Sequence, residues 1–255
     1  MDHQTPAVHK NFRNLFSRTI PVASLSLHWK EEMWALFEQY YADVSRETFE
    51  KDLSHKNHVI LIQERDTQRV KGFSTLQRLE MEVKGKKALV IFSGDTIVEK
   101  EYWGQTVLQK AFLGYVLRQK LSSGWVPTYW FLISKGYKTY LLLSRNFPVY
   151  WPRHDRPTPV WENELLSELA SHKFGEAWIP ELGILHFPDK KGRLKEDVAP
   201  IDEKLFQYPD IAFFARKNPG HLQGDELCCL GLVDFWLPFS YGKKLLFRKV
   251  KKWAR

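Results

Sequence analysis

The stretch from Ala88 to Leu121, ALVIFSGDTIVEKEYWGQTVLQKAFLGYVLRQKL, decides the fold of this chain. Ala88 to Phe92 is a run of β-formers, and Thr96, Ile97 and Val98 resume it after Ser93, Gly94 and Asp95. A Gly inside a strand pattern marks a bulge or a place where something approaches the backbone closely. Glu99 to Gln105 reads as a short polar turn. Beyond it Val107, Leu108, Ala111, Phe112, Tyr115 and Val116 recur at helical spacing. Free N–H groups of such a turn, at the start of a helix, can hold an anion.

Upstream lie two further strand patterns, His58 to Glu64 and Val70 to Val83, joined to each other and to Ala88 by short polar turns. Three strands joined in this way pair antiparallel. Before them, Ser26 is placed as an N-cap for a helical face of Trp29, Met33, Leu36, Phe37 and Tyr40. Ser45 is placed likewise for a second helix carrying Phe49 and Leu53, with Glu47 favourable in its first turn. Residues 1–25 show no strong periodicity and read as an arm with little local structure.

Downstream, the helix from Thr106 to about Lys120 leads to an aromatic-rich strand, Thr128 to Ser134, introduced by Pro127. Strand, helix, strand is a βαβ unit, so the Ala88 and Thr128 strands should lie parallel. A helix from about Lys135 to Arg145 follows, and residues 150–157 close the unit. Thr158 as N-cap with Pro159 at the first helical position begins a helix carrying Trp161, Leu165, Leu166 and Leu169. Asp189 to Asp197 reads as a solvated loop, Ile211 to Ala215 as a short strand and Leu227 to Phe235 as a longer one. The expected organisation is an arm (1–25), an α/β domain (26–150) and an extension (151–255) packed on the same core.

The 255 residues include 44% hydrophobic and 15% aromatic side chains, enough for a sizeable core. The amino terminus lacks the apolar core of a secretory signal, and no apolar run approaches a membrane span. Cys228 and Cys229 are adjacent and read as small buried hydrophobes, with neither disulfide nor metal spacing. A cytoplasmic location is expected. The formal charge of +8 belongs largely to the last thirteen residues, KKLLFRKVKKWAR, which hold seven Lys and Arg and no acid. The rest of the chain has 31 bases against 30 acids, and no basic face interleaved with aromatics, so nucleic acid is not an expected partner. In the tail (243–255) an apolar stripe lies beside a basic face. It reads either as a helix packed on the domain or as a weak contact with a membrane surface.

Over roughly Leu27 to Phe147 the order helix, helix, three antiparallel strands, helix, strand, helix resembles the GNAT acyltransferase superfamily. The family's phosphate-binding turn reads Val-x-Pro-x-Tyr-Arg-Gly-x-Gly-x-Gly. Val98, Tyr102 and Gly104 keep that pattern, whereas Trp103 replaces the Arg, and Thr106 and Leu108 replace the later glycines. Each side chain added there obstructs the approach of a pyrophosphate. The chain therefore looks like members with degenerate phosphate loops that transfer longer acyl chains. The resemblance implies a GNAT-like mixed sheet with antiparallel early strands, one parallel pair and helices on both faces. It implies an acyl thioester donor, acyl-CoA or acyl carrier protein, and a primary-amine acceptor on a small molecule or a peptide Lys or ornithine. No metal is implied. Gly94, Ile97, Val98, Trp103, Gly104, Gln105, Thr106 and Ser134 would line the donor site. Gly136 and Tyr140 hold the places of a small residue and a Tyr that protonates the departing thiolate in the family. Tyr140 also reads as a core tyrosine, with Tyr137, Leu141 and Phe147.

Acyl transfer from a thioester to an amine needs a neutral amine and donors for the oxyanion. Asp95, exposed by a bulge, can accept the amine's proton, or can serve as a turn-like Asp that satisfies bulge amides. Tyr137 and the loop residue His154 are candidate substrate contacts; His154 also reads as a solvent-facing His. No Gly-x-Ser-x-Gly elbow, P-loop or dinucleotide fingerprint is present. The alternative is a GNAT-like body without catalysis that docks through its basic tail on an anionic lipid surface or acidic partner. An enzyme needs Asp95 and the bulge amides open to a cleft, and a binding module does not.

Overall fold

The computed structural model describes residues 14–187, 193–194 and 201–237. The basic tail 243–255 lies outside the described residues, as does most of the Asp189–Asp197 loop.

Strand β1 (Leu15–Pro21) precedes helix α1 (Leu27–Tyr40), the two-residue strand β2 (Tyr41–Ala42) and helix α2 (Arg46–Ser54). The side chains of Ser26 and Ser45 cap α1 and α2, accepting from the backbone N–H of Trp29 and Thr48. Strands β3 (His58–Glu64), β4 (Val70–Val83) and β5 (Lys86–Val98) follow, then α3 (Val107–Ser123), β6 (Thr128–Ser134) and α4 (Tyr137–Asn146). The rest comprises β7 (Tyr150–Trp151), α5 (Val160–Phe174), β8 (Trp178–Ile179), β9 (Ile184–Leu185), β10 (Arg193–Leu194), α6 (Pro209–Lys217) and β11 (Glu226–Val233).

One nine-stranded sheet runs β1-β3-β4-β5-β6-β11-β9-β8, with β7 also paired to β11. Its pairs are antiparallel except β5 and β6, which lie parallel as the βαβ pattern requires. β10 pairs separately with β2. Alternation along β5 divides the core between the two faces. Leu89 and Ile91 pack with Val116, Leu132 and Phe214 beneath α3, α4 and α6. Val90 and Phe92 pack with Phe131, Leu165 and Leu169 beneath α5. α1 and α2 cover Val59, Leu61 and Phe73. Burial on both faces explains why β5 and β6 read as continuous apolar runs.

Three expectations change. The segment read as an arm contributes β1, an edge strand paired with β3 along its whole length. Ile211–Ala215 lies in helix α6, not in a strand. Pro209 in the first turn, Asp210 beside it and Arg216 and Lys217 in the last turn favour a helix, and Ile-Ala-Phe-Phe-Ala is too short for periodicity to decide. α5 begins one residue later than read, with Pro159 at the N-cap position.

Gly72 sets the spacing of β4 and β5. A Cβ there would stand 2.8 Å from the Ile97 carbonyl oxygen and 3.2 Å from the Val98 Cα, both backbone atoms that cannot step aside. Gly72→Ala should lower stability by about 1–3 kcal/mol. A urea midpoint equal to the parent's would show that the two strands do not pack this closely.

Candidate active site

The parallel ladder between β5 and β6 has five pairs, from Leu89 with Thr128 to Ser93 with Leu132, and stops there. β5 stops following β6 because it carries an extra residue. Ser74 pairs with Thr96 and Leu76 with Ser93, so Thr75 alone faces both Gly94 and Asp95. This is the bulge that Gly94 predicted. A Cβ on Gly94 would lie 2.6 Å from Thr75 Oγ1 and 2.9 Å from Lys56 Cε, so any larger residue would have to displace both side chains. Trp130 Nε1 donates to Ser93 Oγ at 2.8 Å and pins the last rung.

Beyond that rung the strands part, and a cavity of about 1290 Å³ runs through the gap. On one side it meets β2, α2 and α5, through Tyr41, Asp52 and Lys173. On the other it meets the turn after β5 and the first turns of α3 and α4, through Trp103, Leu108 and Lys138. Gly94, Asp95, Ile97, Val98, Trp103, Gly104 and Gln105 all line it. A smaller apolar pocket of about 70 Å³ shares Ser93, Trp130 and Leu142 with it and continues toward Phe112, Leu113 and Phe147.

The turn after β5 is tightly braced. Lys100 N donates to Tyr40 Oη at 2.6 Å, and Tyr102 Oη donates to Glu64 at 3.1 Å. Trp103 Nε1 donates to the Val98 carbonyl at 2.7 Å, while Lys138 Nζ sits 4.3 Å above its ring. Gly104 adopts φ +87°, a conformation that disfavours any side chain. Thr106 occupies the N-cap position of α3 without a side-chain cap, so the first-turn N–H groups of Val107 and Leu108 have no intrahelical partner.

Asp95 has no hydrogen-bond or ion-pair partner among the described residues. Burial pushes its carboxyl up to about 6, and the charges of Asp52 and Glu226 add to the rise while Lys56 and Lys135 oppose it. Glu226 is itself buried and raised, 3.5 Å from Lys135 Nζ. Lys56 is buried against Asp52, with which it forms an ion pair. Tyr41 is held protonated by burial and by the nearby Asp95 and Glu226 charges. Thr75 is fully buried and its hydroxyl has no partner among the described residues.

Five sequence candidates do not line the cavity. Tyr140 is fully buried among Tyr150, Phe213 and Phe214, and its hydroxyl donates to the Pro152 carbonyl at 3.0 Å. It is packed in the core, with its hydroxyl engaged by the backbone. Tyr137 packs on that same core, feeling the charge of Asp202. Ser134 is buried with its hydroxyl on the Gly136 carbonyl, 2.8 Å away. His154 pairs with Asp210, 3.1 Å distant. Thr106 lies just outside the lining. Conversely, Tyr41, Asp52, Lys135, Lys173 and Glu226 line the cavity and were missed. Glu226 alone carried a signal, as a single carboxylate opening the otherwise apolar run ELCCLGLV.

Among the described residues, no helix is long and apolar enough to cross a membrane. No protein family and no curated protein matches the sequence. Similar solved structures include a conserved protein of Enterococcus faecalis V583 named as a probable N-acyltransferase. It is 18% identical with a TM-score of 0.39, and the match covers 55% of this chain and 37% of that one. A GNAT family N-acetyltransferase from Escherichia coli, in complex with CoA, is 15% identical with a TM-score of 0.38 and coverages of 56% and 71%. An acetyltransferase of GNAT family from Staphylococcus aureus Mu50 is 17% identical with a TM-score of 0.41 and coverages of 55% and 89%. The chain thus spans little more than a third of the length of the Enterococcus protein it is similar to.

Proposed function

We propose that this chain is a GNAT-type N-acyltransferase that moves a medium or long acyl group from an acyl thioester to a primary amine. One observation carries the reading: an unpartnered, partly buried carboxylate, Asp95, stands on a strand bulge at the point where two parallel strands part around an open cavity. A purely structural Asp in a bulge satisfies the bulge amides. Asp95 does not.

In this scheme the amine nitrogen attacks the thioester carbonyl carbon as the C–S bond breaks. Asp95 takes the amine's proton, and the bulge N–H groups at Gly94 and Asp95 polarise the carbonyl. The departing thiolate needs no protein acid, because a thiol with pKa of about 8.5 is a competent leaving group near neutral pH. The phosphate end of an acyl-CoA or acyl carrier protein would lie at Trp103–Gln105 and the first turn of α3. The acyl chain would enter the apolar pocket lined by Phe112, Leu113 and Leu142. Each buried methylene there gains about 0.8 kcal/mol.

Asp95→Asn should cut turnover about 10²- to 10⁴-fold with little change in donor affinity. In the parent, turnover should fall as the pH drops through about 6, where Asp95 takes up its proton, and that limb should vanish in the variant. The same change should stabilise the protein. A carboxyl whose folded pKa lies above its unfolded value contributes stability that is lost as pH rises through the folded pKa. Ionised Asp95 therefore costs about 1–3 kcal/mol at pH 7. The variant's gain in melting temperature should shrink between pH 6 and 4. A variant both slower and less stable would point to misfolding instead of a lost base.

Tyr140→Phe should turn over at the parental rate and melt earlier, by about 1 kcal/mol for one buried hydrogen bond. A rate loss without a stability loss would return Tyr140 to the chemistry. Among acyl-CoA donors from acetyl to dodecanoyl, the medium chains should have the highest kcat/KM. Leu113→Trp, which fills the apolar pocket, should lower the octanoyl value relative to acetyl on the order of tenfold. A parent that prefers acetyl would refute the assignment of that pocket.

A further inference from the structure

We infer that the end of the sheet remote from the gap docks on an anionic lipid bilayer, through Leu121, Trp125, Phe235 and Trp236. The inference stands apart from the acyl-transfer reading, because none of these four residues lines the cavity or the apolar pocket.

Two segments of the chain meet at this end. β6 and β11 are antiparallel, with Thr128 paired to Val233, so Trp125 precedes the ladder and Trp236 follows it on the same side. The ammonium of Lys120, in the last turn of α3, ties the segments together. It donates to the Gly124 and Val126 carbonyls at 2.9 Å each, on either side of Trp125, and lies 5.2 Å from the centroid of the Phe235 ring. The Trp236 N–H donates to the Asp234 carboxylate at 3.0 Å. Lys120 is buried in this arrangement, whereas Trp125 is 97% exposed, Trp236 71%, Leu121 68% and Phe235 49%. Three aromatics and a leucine held in water at one place are costly unless something covers them, and clustered exposure of this kind marks an interaction surface.

Charge decides what covers it. Lys86 and Lys87 open β5, and the Leu89 N–H donates to the Pro127 carbonyl at 2.9 Å, so these two exposed lysines stand beside the Trp125 segment. Glu82 lies opposite Lys87 on β4, and Lys84 of the same hairpin pairs with Glu164, which leaves the rim itself near neutral. The larger charge is in the sequence that follows. Residues 243–255, outside the described residues, carry seven Lys and Arg and no acid, and begin six positions after Leu237. At no more than about 3.6 Å per residue, the first of those cations stands within roughly 22 Å of Leu237 whatever path the chain takes. Lysine is depleted from protein–protein interfaces. A bilayer surface takes both kinds of group at once, with Trp and Phe at the headgroup level and Lys and Arg on the anionic headgroups. The gap opens past Ser93 and Leu132, at the other end of the β5–β6 ladder, so a bilayer on the patch leaves it open.

Sedimentation of the full chain with lipid vesicles tests this without any thioester or amine. Phosphatidylcholine vesicles with about 30% phosphatidylserine should bind it on the order of tenfold tighter than phosphatidylcholine alone, and raising the salt from about 0.1 to 0.5 M should remove the difference. Trp125→Ser should weaken binding to the mixed vesicles several-fold at an unchanged melting temperature. Adding Trp236→Ser should weaken it on the order of tenfold to a hundredfold. Equal binding to both vesicles, or binding to neither, needs no variant and would overturn the proposal. Parental affinity in a folded double variant would overturn it as well, since the basic tail alone would then carry the contact. So would a parent that sediments as a dimer without lipid and a double variant that sediments as a monomer, which would assign the patch to a second copy of the chain.

Discussion

The parting of β5 from β6 after Ser93 and Leu132 is the constraint on which the rest of the site depends. In an unbroken parallel ladder every backbone group between neighbouring strands is matched, and no ligand can enter. One extra residue in β5 ends the match. It can be accommodated because Gly94 has no side chain to collide with Thr75 and Lys56, and its insertion carries Asp95 to the edge of the gap. Past the bulge, β5 remains tied to β4 through Thr96, Ile97 and Val98. The gap therefore has one rigid wall. Its other wall is the end of β6 and the first turn of α4.

A sheet buried on both faces is otherwise a barrier, and the gap is where its two sides communicate. The phosphate-type turn, the apolar pocket and the open first turns of α3 and α4 belong to one side. The charged groups of α2, α5 and β11 belong to the other. Two substrates held on opposite faces would meet only at Gly94 and Asp95. The poorly matched polar groups there, Thr75 and Asp95, are expensive in stability. The apolar clusters on both faces make that tolerable, since each fully buried Leu, Ile or Phe contributes about 1.5–3 kcal/mol.

Much of the fold was legible because its signals are local. The bounds of β3 and β4 follow from alternation and polar turns. The caps at Ser26 and Ser45 follow from residue type, and the bulge follows from a Gly placed inside a strand. The parallel pair followed from element order. The site was legible only where it lies on β5 and the turn after it. Lys173 and Glu226 come to the cavity from sequence positions far from β5, and nothing local distinguishes Lys173 from a surface lysine. Asp52 and Lys56 have i,i+4 spacing, which on a helix reads as a solvated pair, and only the packing of α2 beside Gly94 buries the lysine. For Tyr140 the sequence offered both a core and a catalytic reading, and its burial agrees with the first. Helical spacing fixed its place on α4, but the aromatics of α6, misread as a strand, fixed the face it turns to.

Trp103 connects the degenerate turn to the kind of donor proposed here. Where a smaller residue would leave the Val98 carbonyl open, the Trp103 indole occupies it and lays an aromatic ring under Lys138. A thioester donor of the kind proposed, if it entered along β5, would find that backbone acceptor already taken. It also meets Thr106 and Leu108 where glycines would let a pyrophosphate approach the helix start. One lost hydrogen bond is worth about 0.5–1.5 kcal/mol. Two methylenes buried in the pocket between Phe112 and Leu142 restore about 1.6 kcal/mol. Under the proposed reading, the affinity of such a site would shift from the phosphate end of the donor to its acyl end. Selectivity shifts with it, because a hydrophobic pocket reads chain length whereas a phosphate turn reads only the carrier.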